Sequence, residues 1–67
     1  MSDSPRQRLL ATLTEYHEGL GANSVAEQDL LKDTEGDEET LREALERLEK
    51  QGEVYQPSDN HYRRTGA

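Results

Sequence analysis

The sequence predicts a mainly α-helical domain closed by a small C-terminal β-hairpin, and three observations carry that prediction. First, Leu41, Ala44, Leu45 and Leu48 recur at intervals of three and four within DEETLREALERLEKQGEVYQ, the stretch from Asp37 to Gln56. That spacing puts them on one stripe of a helix. Second, Gly52 follows the last periodic turn, the usual place for a left-handed residue that ends a helix. The pattern behind it changes to the β-prone run Glu53-Val54-Tyr55-Gln56, expected to stop at Pro57. Third, Pro57-Ser58-Asp59-Asn60 is turn chemistry, and His61-Tyr62-Arg63-Arg64-Thr65 is β-prone again and should return antiparallel.

The elements in front of that stretch follow in order. Met1 to Asp3 and Gly66-Ala67 read as frayed ends. Ser4-Pro5-Arg6-Gln7 is a helix entrance, with Ser4 as N-cap, Pro5 at the first helical position and Gln7 closing a capping box. Leu9, Leu10, Leu13, Tyr16, His17 and Leu20 then recur at helical spacing, so a first helix from about Pro5 to Gly19 should bury that face. Ala22 to Val25 is long enough only for a single bridge. Ser24 and Glu27 form a second S-x-x-E capping box, predicting a short helix over Val25 to Lys32 with Val25, Leu30 and Leu31 as core contacts. Asp37 caps the long helix, and Glu38 and Glu39 suit its positive end. On its outer side Glu38–Arg42, Glu43–Arg47 and Glu46–Lys50 are all i,i+4 pairs with the acid first, the better orientation. Val54 and Tyr62 should face the core from the hairpin, with Tyr55 over its other face. Two short-linked helices match the helix-turn-helix plan, so with the hairpin the whole of 1–67 reads as one winged helix-turn-helix domain.

Composition bounds the function. A chain of 67 residues has nine Leu, two Val, three Tyr and Met1 as its large apolar side chains, without Ile, Phe or Trp. A core of that size typically supplies only ~3–5 kcal/mol. With no cysteine there is no disulfide, and a zinc site would have only His17, His61 and carboxylates. No apolar run approaches ~20 residues and the polar start is no signal peptide, so a soluble, cytoplasmic chain with no membrane partner is expected. Fifteen acids against eight bases give a net charge of −7. That sign is wrong for a phosphate binder, which relies on clustered Lys and Arg. It points either to a protein partner or to a salty cytoplasm, where exposed charge keeps a chain soluble. Two lysines, many carboxylates and small apolar residues favour the halophilic reading.

Catalytic chemistry finds no footing. Asp33-x-Glu35-x-Asp37 suggests a calcium loop, but glycine stands at its fourth position and Ala44 at its twelfth. His17 lies beside Glu15 and Glu18 with no nucleophile spaced to use it. The expectation is therefore no catalytic residue, no metal, no cofactor and no small-molecule substrate. Contact chemistry is richest on the hairpin, where His61, Arg63 and Arg64 gather near Tyr62 and Tyr55; arginine neutralises phosphate and tyrosine offers a stacking surface. Arg42, Arg47 and Lys50 are the bases of the long helix and complete the candidate contact set. The structural alternative is that the tyrosines pack the wing and the arginines balance nearby acids.

Leu41 to Thr65, LREALERLEKQGEVYQPSDNHYRRT, resembles the C-terminal winged-helix domain of archaeal minichromosome maintenance (MCM) replicative helicases. In that family a leucine-periodic helix runs into a Gly-Glu-Ile/Val-Tyr-Glu/Gln-Pro strand, then a tight wing and a return strand rich in Tyr and Arg. Gly52 to Pro57 match the first run, and Tyr62, Arg63 and Arg64 the return. Asn60 departs from the family, which often has glycine there. The ATPase core is absent from these residues, so an excised domain or a free-standing relative is expected. The resemblance implies a regulatory role in DNA replication, tuning helicase activity or contact with the initiator, with replication proteins or the parent ATPase ring as partners. A stand-alone transcriptional regulator and a protein-docking module without DNA binding are the alternatives. The long helix carries six acids and three bases from Asp37 to Gln51, so any DNA contact should be weak, non-specific and carried by the wing.

Overall fold

Ser4 opens the first helix as its chemistry dictates, and the structure, a computed structural model, describes residues 4–66 from that point. Helix α1 (Pro5–Leu20) has the Gln7 N–H donating to Ser4 Oγ at 3.2 Å, with Pro5 in the first turn, where its missing N–H costs nothing. It runs through Gly19 and ends at Gly21, whose φ is 68° and whose N–H donates to the His17 carbonyl at 3.0 Å. Strand β1 (Val25–Ala26), α2 (Glu27–Asp33), α3 (Glu38–Lys50), β2 (Val54–Ser58) and β3 (His61–Arg64) follow. The sheet order is β1-β3-β2, antiparallel throughout. Helices α2 and α3 with the β2–β3 hairpin make the expected winged helix-turn-helix.

The second capping box is not used. Val25 pairs with Tyr62 and Ala26 with His61, so residues expected to open α2 are extended, and Ala26 caps it without a side-chain bond. The Glu27 N–H donates instead to the Asn60 carbonyl in the wing turn at 2.8 Å. A long-range backbone bond thus takes over one of the donors that Ser24 was expected to satisfy. At α3 the local rules hold. Asp37 accepts the Thr40 N–H at 3.3 Å, and the far end closes with Glu53 N–H on Leu48 O at 2.9 Å and Gly52 N–H on Glu49 O at 3.1 Å. This pair of bonds needs a left-handed residue, and Gly52 supplies it at φ 79°.

Pro57 does not stop β2. The strand continues to Ser58, and the pairing slips by one residue between Tyr55↔Arg63 and Ser58↔His61. On an edge strand such a bulge seats a residue that has no N–H to give. Asn60, at φ 60°, turns the chain back, and the Gln56 side-chain oxygen accepts its N–H at 3.0 Å.

The core lies between the helices and the inner face of this sheet. Leu9 and Leu13 of α1, Leu30 of α2, Leu41, Ala44, Leu45 and Leu48 of α3, and Val25, Val54 and Tyr62 of the sheet form it. Leu10, Tyr16 and Leu31 pack on its margin. Leu20 was expected on the buried face but is 75% exposed, because the final residue of α1 lies outside this cluster. Polar groups also hold α1 to α2: the buried Thr34 hydroxyl donates to Thr12 Oγ1 at 2.8 Å, and Thr12 donates to the Arg8 carbonyl at 3.0 Å. Tyr16 donates its hydroxyl to Asp33 Oδ2 nearby. Among the described residues no helix is long and apolar enough to cross a membrane.

Candidate functional site

The outer side of α3 is dominated by carboxylates. Glu39, Glu43 and Glu46 are exposed, and half-buried Glu49 accepts from Gln56 Nε2 at 3.0 Å. Arg42 is held twice, by Glu38 at 3.0 Å and by Glu27 of α2 at 3.9 Å. The other two expected pairs, Glu43–Arg47 and Glu46–Lys50, do not close: among the described residues both ion pairs belong to Arg42. Exposed ion pairs gain little in water against the entropy of fixing two long side chains, so proximity at i,i+4 does not by itself make a bond. Arg47 and Lys50 stand exposed.

The wing residues separate into two places. His61, with Nδ1 2.9 Å from the Asp59 carbonyl, lines a groove of about 400 Å³ together with Arg42, Glu27, Gln28 and Leu31. Arg63 and Arg64 line a different cleft of about 480 Å³, between the C-terminal half of α1, residues 22–25 and β3. Strand alternation starts these two side chains on opposite faces. Arg64 Nη1 reaches α1 and donates to Thr14 Oγ1 at 2.8 Å, whereas Arg63 Nη1 donates to Asn23, to its carbonyl at 3.0 Å and its side-chain oxygen at 3.4 Å. The sequence gathers His61, Arg63 and Arg64 at one end of a hairpin; the fold keeps only the two arginines together. Thr14 and Asn23, which position them, lie 50 and 40 residues away in the chain, beyond the reach of any spacing rule.

Tyr62 is 8% exposed and forms part of the floor of that cleft. Burial pushes its hydroxyl pKa up, and Glu27, Glu49 and Glu46 add to the shift. Tyr55, on the outer face, is 43% exposed. Tyr16 is pushed up to about 12, first by its hydrogen bond to Asp33, then by burial and by the charges of Asp33 and Asp29. His17 is half-buried with Nδ1 3.4 Å from the Ala22 carbonyl. Among the described residues no group of three or more His, Cys, Asp or Glu side chains is placed to hold a metal ion. No family model, no curated protein and no solved structure matches this chain.

Proposed function

We propose that this is a regulatory winged-helix module of the cytoplasm, similar in role to the C-terminal domain of archaeal MCM helicases. In that role it tunes helicase activity or initiator contact in DNA replication, and it touches duplex DNA weakly and without base preference through the wing. The observation that supports this reading is the charge of α3. A helix that reads the major groove brings its side chains to base edges and phosphates. Here Glu39, Glu43 and Glu46 are exposed on it, and Arg42 is occupied by Glu38 and Glu27. Arg64 donates to the neutral Thr14 hydroxyl, a bond that leaves its charge available to a phosphate.

A protein-docking module without DNA binding is the second reading, favoured by the net charge of −7. Titrating labelled duplex at low salt, with NMR shifts followed residue by residue, separates the two. Shifts on His61, Arg63 and Arg64 that vanish in the R63A/R64A double variant, and persist in R42A and R47A, support the wing contact. No shift anywhere selects the docking module. Shifts concentrated on α3, with strong preference for one sequence, refute both and select a transcriptional regulator.

A further inference from the structure

Arg6 of α1 and Arg47 of α3 line one groove of about 290 Å³, which holds two of the eight bases and one of the fifteen acids, Glu43. Neither base is neutralised there. Among the described residues both ion pairs belong to Arg42, so Glu43 does not pair with Arg47 although their i,i+4 spacing suits it. Arg6 Nη1 donates to the neutral Gln51 Oε1 at 3.4 Å, which uses one of its five N–H donors and none of its charge. Its position gains nothing from α1 itself: the first turn of that helix has no acid, and a helix start disfavours a cation. The hydroxyls of Ser4 and Thr40 belong to the same lining. The Gln7 N–H is taken by Ser4 and the Thr40 N–H by Asp37, so the groove offers two guanidiniums and two hydroxyls as its side-chain donors. Thr40 also donates to Asp37 Oδ2, at a long 3.5 Å. The groove beside His61 differs, because its Arg42 is held by Glu27 and Glu38.

We propose that the groove between Arg6 and Arg47 binds a phosphate group, as the free ion or at the end of a phosphomonoester. Three features argue for that occupant. The first is the donor set. A carboxylate brings one charge and two oxygens, whereas a terminal phosphate brings a charge of about −1.5 to −2 and three strong acceptor oxygens. Guanidiniums from two separate helices, with two hydroxyls in the same lining, match the larger acceptor. The second is size. About 290 Å³ lies at the lower end of the roughly 300–1,000 Å³ of ligand pockets, which is room for one compact anionic group and not for a length of peptide. The third is what surrounds the groove. A duplex would offer singly charged phosphodiesters and lay their neighbours against the exposed Glu39, Glu43 and Glu46 of α3, whereas a single phosphate ends beside the arginines. The inference rests on the charge and size of this groove and does not depend on the helicase reading.

The test titrates the protein with inorganic phosphate, O-phosphoserine, dimethyl phosphate and acetate, each at the same ionic strength and followed residue by residue by NMR. Inorganic phosphate is expected to give saturable shifts on Ser4, Arg6, Thr40 and Arg47, and to bind roughly tenfold more tightly than acetate or the diester. R6Q and R47Q, both at exposed positions, should each weaken it by roughly tenfold. E43Q, also exposed, should strengthen it about two- to fivefold by removing the one acid of the lining. Phosphoserine that binds as well as the free ion supports the proposal and assigns the groove to phosphomonoesters; phosphoserine excluded while phosphate binds supports it and assigns the free ion. Acetate or dimethyl phosphate binding as tightly as phosphate, shifts located elsewhere, or unchanged affinity in R47Q overturns the proposal. No probe here is a duplex, and the wing contact is expected to persist in R47A, so failure of one reading is distinguishable from failure of the other.

Discussion

Leu45→Ala should leave most of this domain unfolded, and the structure supplies the magnitude. Leu45 is 2% exposed at the middle of the α3 stripe, flanked by Leu41 at 0% and Leu48 at 1%. Truncation removes three carbons from water-free surroundings, roughly 2.4 kcal/mol at about 0.8 per group. The cavity left behind raises the cost into the range of about 2–5 kcal/mol observed for such changes. Among the described residues ten buried hydrophobic side chains form the core, and a core in a domain this small typically provides only ~3–5 kcal/mol of net stability. The loss therefore approaches the total. Urea denaturation followed by circular dichroism measures it: the parent should show one cooperative transition, and L45A should show little or none. A variant that melts at the parent's urea midpoint would refute the placement of Leu45 and the three-helix core built on it.

Stability should rise with salt. With both ion pairs among the described residues centred on Arg42 and a net charge of −7, self-repulsion outweighs pairing, and at ~1 M salt the screening length falls to about 3 Å; a melting temperature flat across a salt series would oppose this. Alkaline titration should destabilise the fold. The Tyr16 pKa is raised from its usual 10.0 to about 12, so its contribution is complete below about pH 10 and is lost as pH climbs towards 12. Phenolate absorbance should show this late ionisation, and Y16F should flatten the stability profile there, leaving the part due to Tyr62, whose pKa is raised by burial. Gly52→Ala should lower stability by about 1 kcal/mol or more, since its φ of 79° penalises any Cβ; an unchanged melting temperature would count against the helix-to-strand junction described above.

What was legible in the sequence was local. The α3 stripe, the Ser4 and Asp37 caps, the Gly52 stop and the inward placement of Val54 and Tyr62 all follow from spacing within a few residues. What misled was local chemistry overruled from a distance. Ser24 and Glu27 have the spacing of a cap, yet Val25 is claimed by Tyr62 and the Glu27 N–H by the Asn60 carbonyl. Pro57 reads as a strand breaker, yet an edge strand with a bulge accommodates it. The Thr12–Thr34 bond carried no signal, because two threonines 22 residues apart are not a pattern. The site followed the same division: its arginines could be picked out from the sequence, but the separation of His61 from them and their anchors at Thr14 and Asn23 came from packing.

The charge arrangement ties these points together. An acidic α3 and an arginine-lined cleft on one small domain would have opposite effects on the same polyanion. Glu38 and Glu27 sequester Arg42, the one base of α3 that lines the wing groove, which leaves Arg47 and Lys50 as the exposed cations of that helix. Thr14 does the reverse for Arg64, orienting it through a neutral oxygen. Ion pairing thus silences positive charge at one surface, while neutral anchoring preserves it at another. A domain built to grip duplex DNA would place these two devices the other way round.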